Sequence, residues 1–375
     1  MSDSPPGSDR GSGMTHVTLP LEMLLEIVKW LPYEDQWQWG HVCKDLALHW
    51  IRAVTTIPET VLNKLRDDRG VQFPSVTAID YRFSDRDELY NWTLNHLPNL
   101  DTITLTKPSY KLLTGLTSLS KLNTLRLNCN MVGDVVPNIL CRLSKLTTLR
   151  LYKRMAFSDV EIGQLCYLTS LYIPSNKIIT DACLTQLTNL TSLDLSYNPK
   201  ITDVGVRCLT ELRRLLLRTN RHITDNGIRC LTKLQYLDLY DNNQITDAVF
   251  ADISNITTLI TAWSNSVTND GFVYLTNLEC LKIGCYTRIT NNVLTYIPSL
   301  TELDVTSNAS NAYFTDTGLK KLTNLMKLVL RHNSGPITMA GIRCLPNLHT
   351  LDLRGDYTIT DAEIASLPKH ILIRK

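Results

Sequence analysis

Polar side chains recur in this sequence at one fixed spacing, and a row of amides and carboxylates is a pattern that could bind a metal ion or transfer protons. Asn176, Asn198, Asn220 and Asn242 follow one another at intervals of 22 residues. A catalytic centre needs different groups that converge on one point, whereas identical groups at identical intervals indicate one structural role repeated in successive units. The row therefore predicts a repeated structural element and not acid–base or metal chemistry.

The other residues that could take part in catalysis or bind a metal also lack a catalytic pattern. Among the ten cysteines, only Cys280 and Cys285 lie close together; their spacing is not that of a zinc knuckle, and no histidine is nearby. The sequence has no G-x-x-x-x-G-K, G-x-S-x-G or H-E-x-x-H motif, and its eight histidines occupy unrelated positions. We predict a protein that is not an enzyme and that needs no metal or cofactor.

Composition restricts the partners. The 375 residues include 38 Lys and Arg and 36 Asp and Glu, so the net charge of +2 gives no electrostatic reason to expect nucleic acid or an anionic membrane as a ligand. No stretch approaches the roughly 20 apolar residues that cross a bilayer, and the N-terminus lacks the pattern of a signal peptide. We expect a soluble protein of the cytoplasm or nucleus with reduced cysteines.

Three consecutive segments, which begin at Leu187, Leu209 and Leu231, share one template. The template is L-x-x-L-x-x-L-x-L-x-x-N-x-x-I-T-D-x-G followed by an apolar residue, and its period of 22 residues is typical of a solenoid. A shortened unit from Leu367 predicts a closing strand. The first template position occurs thirteen times, at Phe73, Leu97, Leu119, Leu143, Leu165, Leu187, Leu209, Leu231, Ile253, Leu275, Ile297, Leu322 and Leu345.

The template predicts local structure. Its L-x-L core is a short strand with both leucines pointing inward and the intervening residue pointing outward. One unit cannot bury enough apolar surface to offset an ordering cost of about 1.5 kcal/mol per residue, so neighbouring units must stack. The Thr-Asp pairs predict helix N-caps in the second half of each unit. These pairs are Thr180/Asp181, Thr202/Asp203, Thr224/Asp225, Thr246/Asp247, Thr315/Asp316 and Thr360/Asp361.

These segments resemble leucine-rich repeats of the short class over about four-fifths of the chain. The resemblance implies an α/β solenoid in which a parallel sheet lines the concave side. It also implies that the template asparagines bond the backbone of the turn after each strand. The asparagines at this position are Asn130, Asn176, Asn198, Asn220, Asn242, Asn308 and Asn333.

A different pattern precedes the repeats. The segment LPLEMLLEIVKWLPYEDQWQWGHVCKDL, from Leu19, has apolar residues at helical spacing and resembles the F-box, whose pattern runs Leu-Pro-x-Glu-apolar-Leu, Ile, Leu-Pro-x-x-Asp and Val-Cys-Lys. It departs from that pattern at Gln36, Trp39 and Leu46. The resemblance implies a small three-helix module that binds a Skp-type adaptor. The implied adaptor-binding residues are Leu19, Pro20, Leu24, Ile27, Leu31, Pro32, Val42, Cys43 and Lys44.

Four regions are therefore expected. Residues 1–16, rich in Ser, Pro, Gly and Asp, form a disordered tail. Residues 17–56 form the F-box-like module, residues 57–72 a linker helix, and residues 73–375 the solenoid of thirteen repeats with its closing strand. The alternative for the second region is a helical cap on the first repeat.

The two resemblances together imply a division of labour. An F-box binds a Skp-type adaptor, which docks on a cullin scaffold that carries the ubiquitin-transfer machinery, and the repeats select the substrate. The chain would then be the substrate-recognition subunit of a Skp-cullin-F-box ubiquitin ligase. The alternative is a non-catalytic repeat scaffold, or a decoy that sequesters the adaptor and delivers no substrate.

The outward residues of the strands predict where a protein or peptide substrate binds. Thirteen strands at about 4.8 Å span roughly 60 Å, which suits a folded domain or a long peptide better than a small molecule. Tyr, Trp and Arg are frequent interface anchors. The predicted substrate-binding residues are Arg126, Arg150, Tyr152, Tyr172, Tyr197, Arg218, Tyr240 and Trp263.

Overall fold

Fifteen short strands run through the part of the chain that the structure describes. The computed structural model describes residues 56–58, 78–81, 97, 99–106, 108, 110–128, 140, 142–152, 157–284, 287–306, 314–332 and 336–375. The strands are β1 (Thr56–Pro58), β2 (Ala78–Tyr81), β3 (Thr102–Thr106), β4 (Thr124–Asn128), β5 (Thr148–Tyr152), β6 (Ser170–Tyr172), β7 (Ser192–Asp194), β8 (Arg214–Leu216), β9 (Tyr236–Asp238), β10 (Thr258–Ile260), β11 (Cys280–Lys282), β12 (Glu302–Asp304), β13 (Lys327–Val329), β14 (Thr350–Asp352) and β15 (Leu372–Arg374).

The strands form one parallel sheet in sequence order. Strands β2 to β14 correspond to the thirteen predicted repeats and β15 to the predicted closing strand, so the predicted solenoid is confirmed. The sheet also has an earlier strand, β1, whose Ile57 pairs with Ile79 of β2. The sheet thus begins at Thr56, before the predicted boundary at residue 73, and residues 57 and 58 lie in a strand instead of the predicted linker helix. Thr56, the last residue of the predicted F-box-like module, also lies in β1, and the remainder of that module and of the linker lies outside the described residues.

The repeats from Leu97 onward bury the apolar positions of their template wherever these are described. In β3, β4 and β5 buried residues alternate with half-buried ones, as a strand with one covered face requires. The buried side chains form one core that extends from Leu97 to Leu367. The unit that begins at Leu187 has six side chains with 0% exposure: Leu187, Leu190, Leu193, Leu195, Ile201 and Val206.

The template asparagines hold the turn that follows each strand. In Asn242, which is fully buried, Oδ1 accepts hydrogen bonds from the amides of Gln244 and Ile245 at 2.9 and 3.3 Å, and Nδ2 donates to the carbonyl of Leu217 in the preceding repeat at 3.1 Å. Asn220 makes both kinds of bond, and Asn176 Oδ1 accepts from the amides of Ile178 and Ile179. Asn198 differs, because its Nδ2 donates to the carbonyl of Ile173 in the preceding repeat whereas its Oδ1 is buried with no hydrogen-bond partner among the described residues. The predicted bond to the turn is confirmed for Asn176, Asn220 and Asn242; Asn130, Asn308 and Asn333 lie outside the described residues.

Short helices follow the strands in most of the described repeats. The described α-helices are α1 (Tyr110–Gly115), α2 (Asp159–Gly163), α3 (Asp181–Leu184), α4 (Asp203–Val206), α5 (Asp225–Ile228), α6 (Asp316–Leu319), α7 (Met339–Ile342) and α8 (Asp361–Ala365). Segments of 3-10 helix lie at Leu116–Ser118, Asp247–Val249, Asn269–Tyr274 and Asn291–Thr295.

The predicted N-caps are confirmed in most of these helices. The hydroxyl of Thr202, for example, accepts a hydrogen bond from the amide of Val204 at 3.3 Å. Thr180, Thr224, Thr246 and Thr360 also cap through their side chains, whereas Thr315 occupies the N-cap position without such a bond.

In five of the six Thr-Asp pairs, all except Thr360/Asp361, the aspartate has a second role that the sequence did not predict. Asp203 Oδ1 accepts from the amide of Thr224, and Oδ2 accepts from its hydroxyl, both at 2.7 Å. The same two bonds recur between successive repeats from Asp159 to Thr268 and again from Asp316 to Thr338. We call this series the Asp–Thr ladder. In two repeats an asparagine replaces the aspartate. Asn269 Oδ1 accepts from the amide of Thr290, and Asn269 Nδ2 donates to the Thr290 hydroxyl.

In several repeats the glycine two residues after the aspartate packs closely against the ladder. A Cβ atom on Gly205 would lie 2.5 Å from Asp181 Oδ1, and one on Gly227 would lie 2.5 Å from Asp203 Oδ1. Both distances are shorter than van der Waals contact. Cys183 and Val249 occupy this position in two other repeats, and the bonds that Asp159 accepts from Thr180 and Asp225 accepts from Thr246 persist there. The close approach is therefore specific to the repeats that carry glycine.

Two other findings concern expectations from composition. The six cysteines among the described residues are free thiols: Cys166, Cys183, Cys208, Cys230, Cys280 and Cys344. Within the described residues, no helix has both the length and the apolar character that a membrane span requires.

The ladder gives a direct test of how repeats are joined. Asp203→Ala removes two hydrogen bonds to Thr224, each worth about 1 kcal/mol, so the free energy of unfolding should fall by about 2 kcal/mol in urea denaturation. Asp203→Asn should stay within about 0.5 kcal/mol of the parent, because an asparagine can make both bonds, as Asn269 does. Equal stability of the alanine and asparagine variants would contradict a stabilising role for the ladder.

Candidate protein-binding surface

The side chains that alternate with the buried leucines form the outward face of the sheet. The strand register places one outward residue from each repeat in a single row, here called the central row, in which neighbours are Cα partners across adjacent strands. The row consists of the residue between the two leucines of each L-x-L core, which the template predicts to point outward. From β3 to β14 the row is Thr104, Arg126, Arg150, Tyr172, Asp194, Leu216, Asp238, Ile260, Lys282, Asp304, Val329 and Asp352.

Two arginines lie side by side at the N-terminal end of this row. Arg126 and Arg150 are Cα partners in β4 and β5, and both side chains are half-buried. The Nε atom of each is buried and has no hydrogen-bond acceptor among the described residues. Like charges about 5 Å apart repel by roughly 1 kcal/mol in water and by more where water is excluded. This pair is therefore a local concentration of positive charge.

An aromatic pair adjoins the arginines. Tyr172 follows Arg150 in the central row, and its ring centroid lies 5.2 Å from that of Tyr152, which ends β5. Burial raises the pKa of the Tyr172 hydroxyl, and the nearby Asp194 carboxylate adds to the effect. The hydroxyl is therefore neutral at pH 7 and can donate a hydrogen bond.

Arg218 and Tyr240 lie farther along the face, each just after the strand of its repeat. Arg218 Nε is 2.6 Å from Asp238 Oδ2, and the guanidinium carbon is 5.8 Å from the Tyr240 ring centroid. The Asp238 side chain is 0% exposed, whereas that of Arg218 is 43% exposed. Arg218 thus neutralises a buried carboxylate, a role that sequence reasoning did not assign to it.

Tyr197 and Trp263 lie outside the strands. Both residues precede the inward polar residue of the turn and have positive φ angles, 61° for Tyr197 and 62° for Trp263. Ser175, Thr219, Asp241 and His332 share this backbone conformation. The turn directs Tyr197 and Trp263 to the flank of the sheet, where they are 48% and 44% exposed. They belong to a different part of the surface from the tyrosines at residues 152 and 172.

The flank beside Tyr197 has a cleft of about 310 Å³ between three successive turns. Lys177, Arg221 and His222 supply its basic groups, and Tyr197 and Pro199 supply its apolar wall. We call it the flank cleft. It is separate from the central row.

Two charged clusters on the face were missed by sequence reasoning. Asp352 Oδ2 is 2.7 Å from Arg331 and 2.8 Å from Arg354, and hydrogen bonds from both arginines hold the pKa of this carboxyl well below its usual range. Glu302 lies 3.3 Å from Lys282 and 3.0 Å from Lys327. The Arg331–Asp352 pair repeats the placement of Arg218 and Asp238, with a residue just after one strand and a central-row residue on the next.

No group of three or more His, Cys, Asp or Glu side chains within the described residues could hold a metal ion. The predicted adaptor-binding residues all lie outside the described residues. They are Leu19, Pro20, Leu24, Ile27, Leu31, Pro32, Val42, Cys43 and Lys44.

Comparison with known proteins supports the repeat class. The Leucine Rich repeat family model matches residues 186–209, which contain β7, its turn at Asn198 and α4. No curated protein sequence is significantly similar to the chain.

Solved structures share the fold at low sequence identity. An internalin from Listeria monocytogenes is 24% identical with a TM-score of 0.54, and the match covers 84% of this chain and 93% of the internalin. A chain of the Rad7 and Elc1 complex in yeast is 14% identical with a TM-score of 0.55, covering 94% and 90%. A chain of the TLR13-ssRNA13 complex is 19% identical with a TM-score of 0.54, covering 76% and 43%. The protein is a leucine-rich-repeat solenoid, as predicted.

The pairing of Arg218 with a buried carboxylate predicts a stability effect. Arg218→Ala leaves Asp238 buried without its cation, and the free energy of unfolding at pH 7 should fall by about 1–3 kcal/mol. In the Asp238→Asn background the same substitution should cost much less, because an amide carries no charge and its Oδ1 can still accept from the Tyr240 amide. Urea denaturation of the four variants of this cycle measures the coupling, and a zero coupling energy would contradict the assignment.

Proposed function

We propose that this protein is the substrate-recognition subunit of a Skp-cullin-F-box type ubiquitin ligase. In this proposal the segment from Leu19 to Leu46 binds a Skp-type adaptor, and the outward face of the sheet binds a protein or peptide substrate. The observation that carries it is the F-box pattern in a chain whose remaining length is a recognition solenoid. The protein would act in the cytoplasm or nucleus, where that machinery operates.

The solenoid supports the substrate-binding half of the proposal. A sheet of in-register strands presents a long, preorganised surface, so a ligand is bound without a large cost for ordering the receptor. Aromatic rings and guanidinium groups, which are frequent interface anchors, are placed along it by the repeat register. The predicted substrate-binding residues divide into the group around Arg150, the group around Arg218, and the flank positions Tyr197 and Trp263.

A ligase of this type accelerates transfer by positioning. A substrate held on the solenoid has its lysines near the ubiquitin-carrying enzyme, which converts a bimolecular encounter into an effectively intramolecular one. The chain needs no catalytic residues for this task. The chain similar to this one from the Rad7 and Elc1 complex also acts within a protein assembly.

The proposal is tested by adaptor capture. Leu19→Ala combined with Pro20→Ala should abolish binding of a purified Skp-type adaptor at micromolar concentration, measured by isothermal titration calorimetry on the full chain. Both residues precede the repeats, and each repeat is stabilised by its neighbours, so the thermal unfolding of the solenoid should not change. Tyr152→Ala combined with Tyr172→Ala, on the outward face, is the matched control and should bind the adaptor as the parent does.

The alternative functions make different predictions in the same experiment. A parent chain that binds no adaptor would refute the ligase proposal and leave a repeat scaffold. A parent chain that binds the adaptor but supports no ubiquitination of any co-purifying protein would indicate a decoy.

A further inference from the structure

Three aspartates of the central row are buried, and two of them are paired with an arginine of the preceding repeat. Asp238 lies 2.6 Å from Arg218, and Asp352 lies 2.7 Å from Arg331. Asp194 is buried in the same row but forms no ion pair within the described part of the chain. It is also the most exposed of the three, at 5% against 0% for Asp238 and 1% for Asp352. Buried carboxylates are normally paired, so Asp194 differs from its two counterparts.

The difference arises from one residue of the preceding repeat. Arg218 and Arg331 each lie two positions after the central-row residue of the repeat that precedes their aspartate. The equivalent position before Asp194 is Pro174, two positions after Tyr172. A proline side chain has neither a charge nor a hydrogen-bond donor. The solenoid therefore supplies no cation to Asp194 from the position that supplies one in two other repeats.

The ionisation of the carboxyl groups reflects this contrast. Burial raises the pKa of the Asp194 carboxyl, although hydrogen bonding by Ser196 and the charge of Arg218 act in the opposite direction. Hydrogen bonds from two arginines instead hold the pKa of the Asp352 carboxyl well below its usual range. A cation beside Asp194 would offset the cost of burying its negative charge.

Aromatic rings adjoin Pro174 on the side away from the carboxylate. Tyr152 and Tyr172 are half-buried, and their ring centroids are 5.2 Å apart. The strand register, continued by the hydrogen bond that the amide of the next residue donates to the Ser196 carbonyl, puts Pro174 between Tyr152 and Ser196. We call Pro174 and its four neighbours, Tyr152, Tyr172, Asp194 and Ser196, the Pro174 site.

The protein itself shows which side chain fits between a carboxylate and a tyrosine on this face. Arg218 Nε is 2.6 Å from Asp238 Oδ2, and the guanidinium carbon is 5.8 Å from the Tyr240 ring centroid. The Pro174 site has the same two kinds of partner, a buried carboxylate and tyrosine rings. A guanidinium can donate to the carboxylate while its flat face contacts a ring, and it is less strongly hydrated than an ammonium group.

The positive charges nearby do not prevent another cation from binding. Arg218 is neutralised by Asp238, and Arg150 lies two strands from Asp194, at about 10 Å. Because Coulomb energy falls inversely with distance, attraction at a contact of about 3 Å exceeds repulsion at about 10 Å roughly threefold. Salt weakens the repulsion further, since the Debye length is about 8 Å at physiological ionic strength.

We propose that the Pro174 site binds an arginine side chain of a protein ligand, with Asp194 as its counter-ion and the Tyr152–Tyr172 pair as its aromatic wall. This inference rests on the proposed function and names one side chain that the substrate must present. The ligand's guanidinium would complete at Asp194 the arrangement that Arg218 completes at Asp238 within the solenoid.

The test uses the purified full chain and fluorescein-labelled degenerate peptide pools that are identical except at the central residue. One pool has arginine there, a second has citrulline, which keeps nearly the same shape without the charge, and a third has lysine. Binding is measured by fluorescence anisotropy. The arginine pool should bind about tenfold more tightly than the citrulline pool, with the lysine pool between them, on the scale of charge-assisted hydrogen bonds.

Two matched substitutions in the central row locate the effect. Asp194→Asn removes the charge but keeps an acceptor for the Ser196 amide, so the preference for arginine over citrulline should disappear. Asp304→Asn removes the same charge from the same row, beside Lys282, and should keep the full preference. Urea denaturation of each variant confirms that it is folded.

A second pair of variants fills the site from within the chain. Pro174→Arg copies the placement of Arg218 and should remove the preference for the arginine pool, because its own guanidinium then pairs with Asp194. Pro174→Gln, which makes the same change to the backbone without the charge, should keep the preference. Pro174→Arg should also have the larger free energy of unfolding of the two in urea.

Three results would overturn the proposal. They are equal binding of the arginine and citrulline pools, including no binding of either at millimolar concentration, binding of the lysine pool as tight as that of the arginine pool, and loss of the preference in Asp304→Asn instead of Asp194→Asn. Adaptor titration of the same preparations separates this inference from the ligase proposal, because Asp194→Asn and Pro174→Arg should bind the adaptor like the parent.

Discussion

No repeat of this solenoid can cover its own apolar face, and the remainder of the structure depends on that constraint. Leu193 and Leu195 become buried only because the next repeat supplies Leu215 and Leu217 at the same height. Stacking must be in register, since a one-residue slip would turn inward leucines outward. The polar ladders reinforce this register, because Asp203 and Asn242 bond specific backbone groups of neighbouring repeats.

The same register determines the chemistry of the outward face. Residues 22 to 25 positions apart become strand neighbours, so Arg126 and Arg150 are adjacent although 24 residues separate them. An arginine just after one strand reaches a carboxylate on the next, as Arg218 reaches Asp238. The register thus pairs some charges within the solenoid and brings others side by side, as at Arg126 and Arg150.

Much of this arrangement could be predicted from sequence because the template is periodic. The leucine and asparagine positions lead directly to the strands, the core and the turns. Strand β1 could not be predicted, because the triplet from Thr56 to Pro58 has no template around it and forms a strand through pairing with β2. The bond from Asp203 to Thr224 depends on the path of the turn between repeats, which the residue types alone do not specify. The positive φ of Tyr197 was missed because only glycine or asparagine signals that conformation reliably.

The Arg218–Asp238 pair is a different case. The sequence does contain a signal for this pair. Arg218 lies two positions after a central-row residue, and Asp238 of the same row follows 20 residues later. Arg331 and Asp352 have the same placement with a spacing of 21 residues. Sequence reasoning considered each outward residue as a ligand contact and did not examine pairs within the solenoid. Neighbour relations set by the repeat period therefore need to be considered before outward residues are assigned to a binding site.

The central claim is a division of labour between an adaptor-binding module and a substrate-binding solenoid. Hydrogen–deuterium exchange of the full chain with and without a Skp-type adaptor tests it most directly. The account predicts that the adaptor slows exchange within residues 17–50 and leaves the strands from β3 to β15 unchanged. Slower exchange along the outward face of those strands, or no change anywhere in the chain, would contradict it.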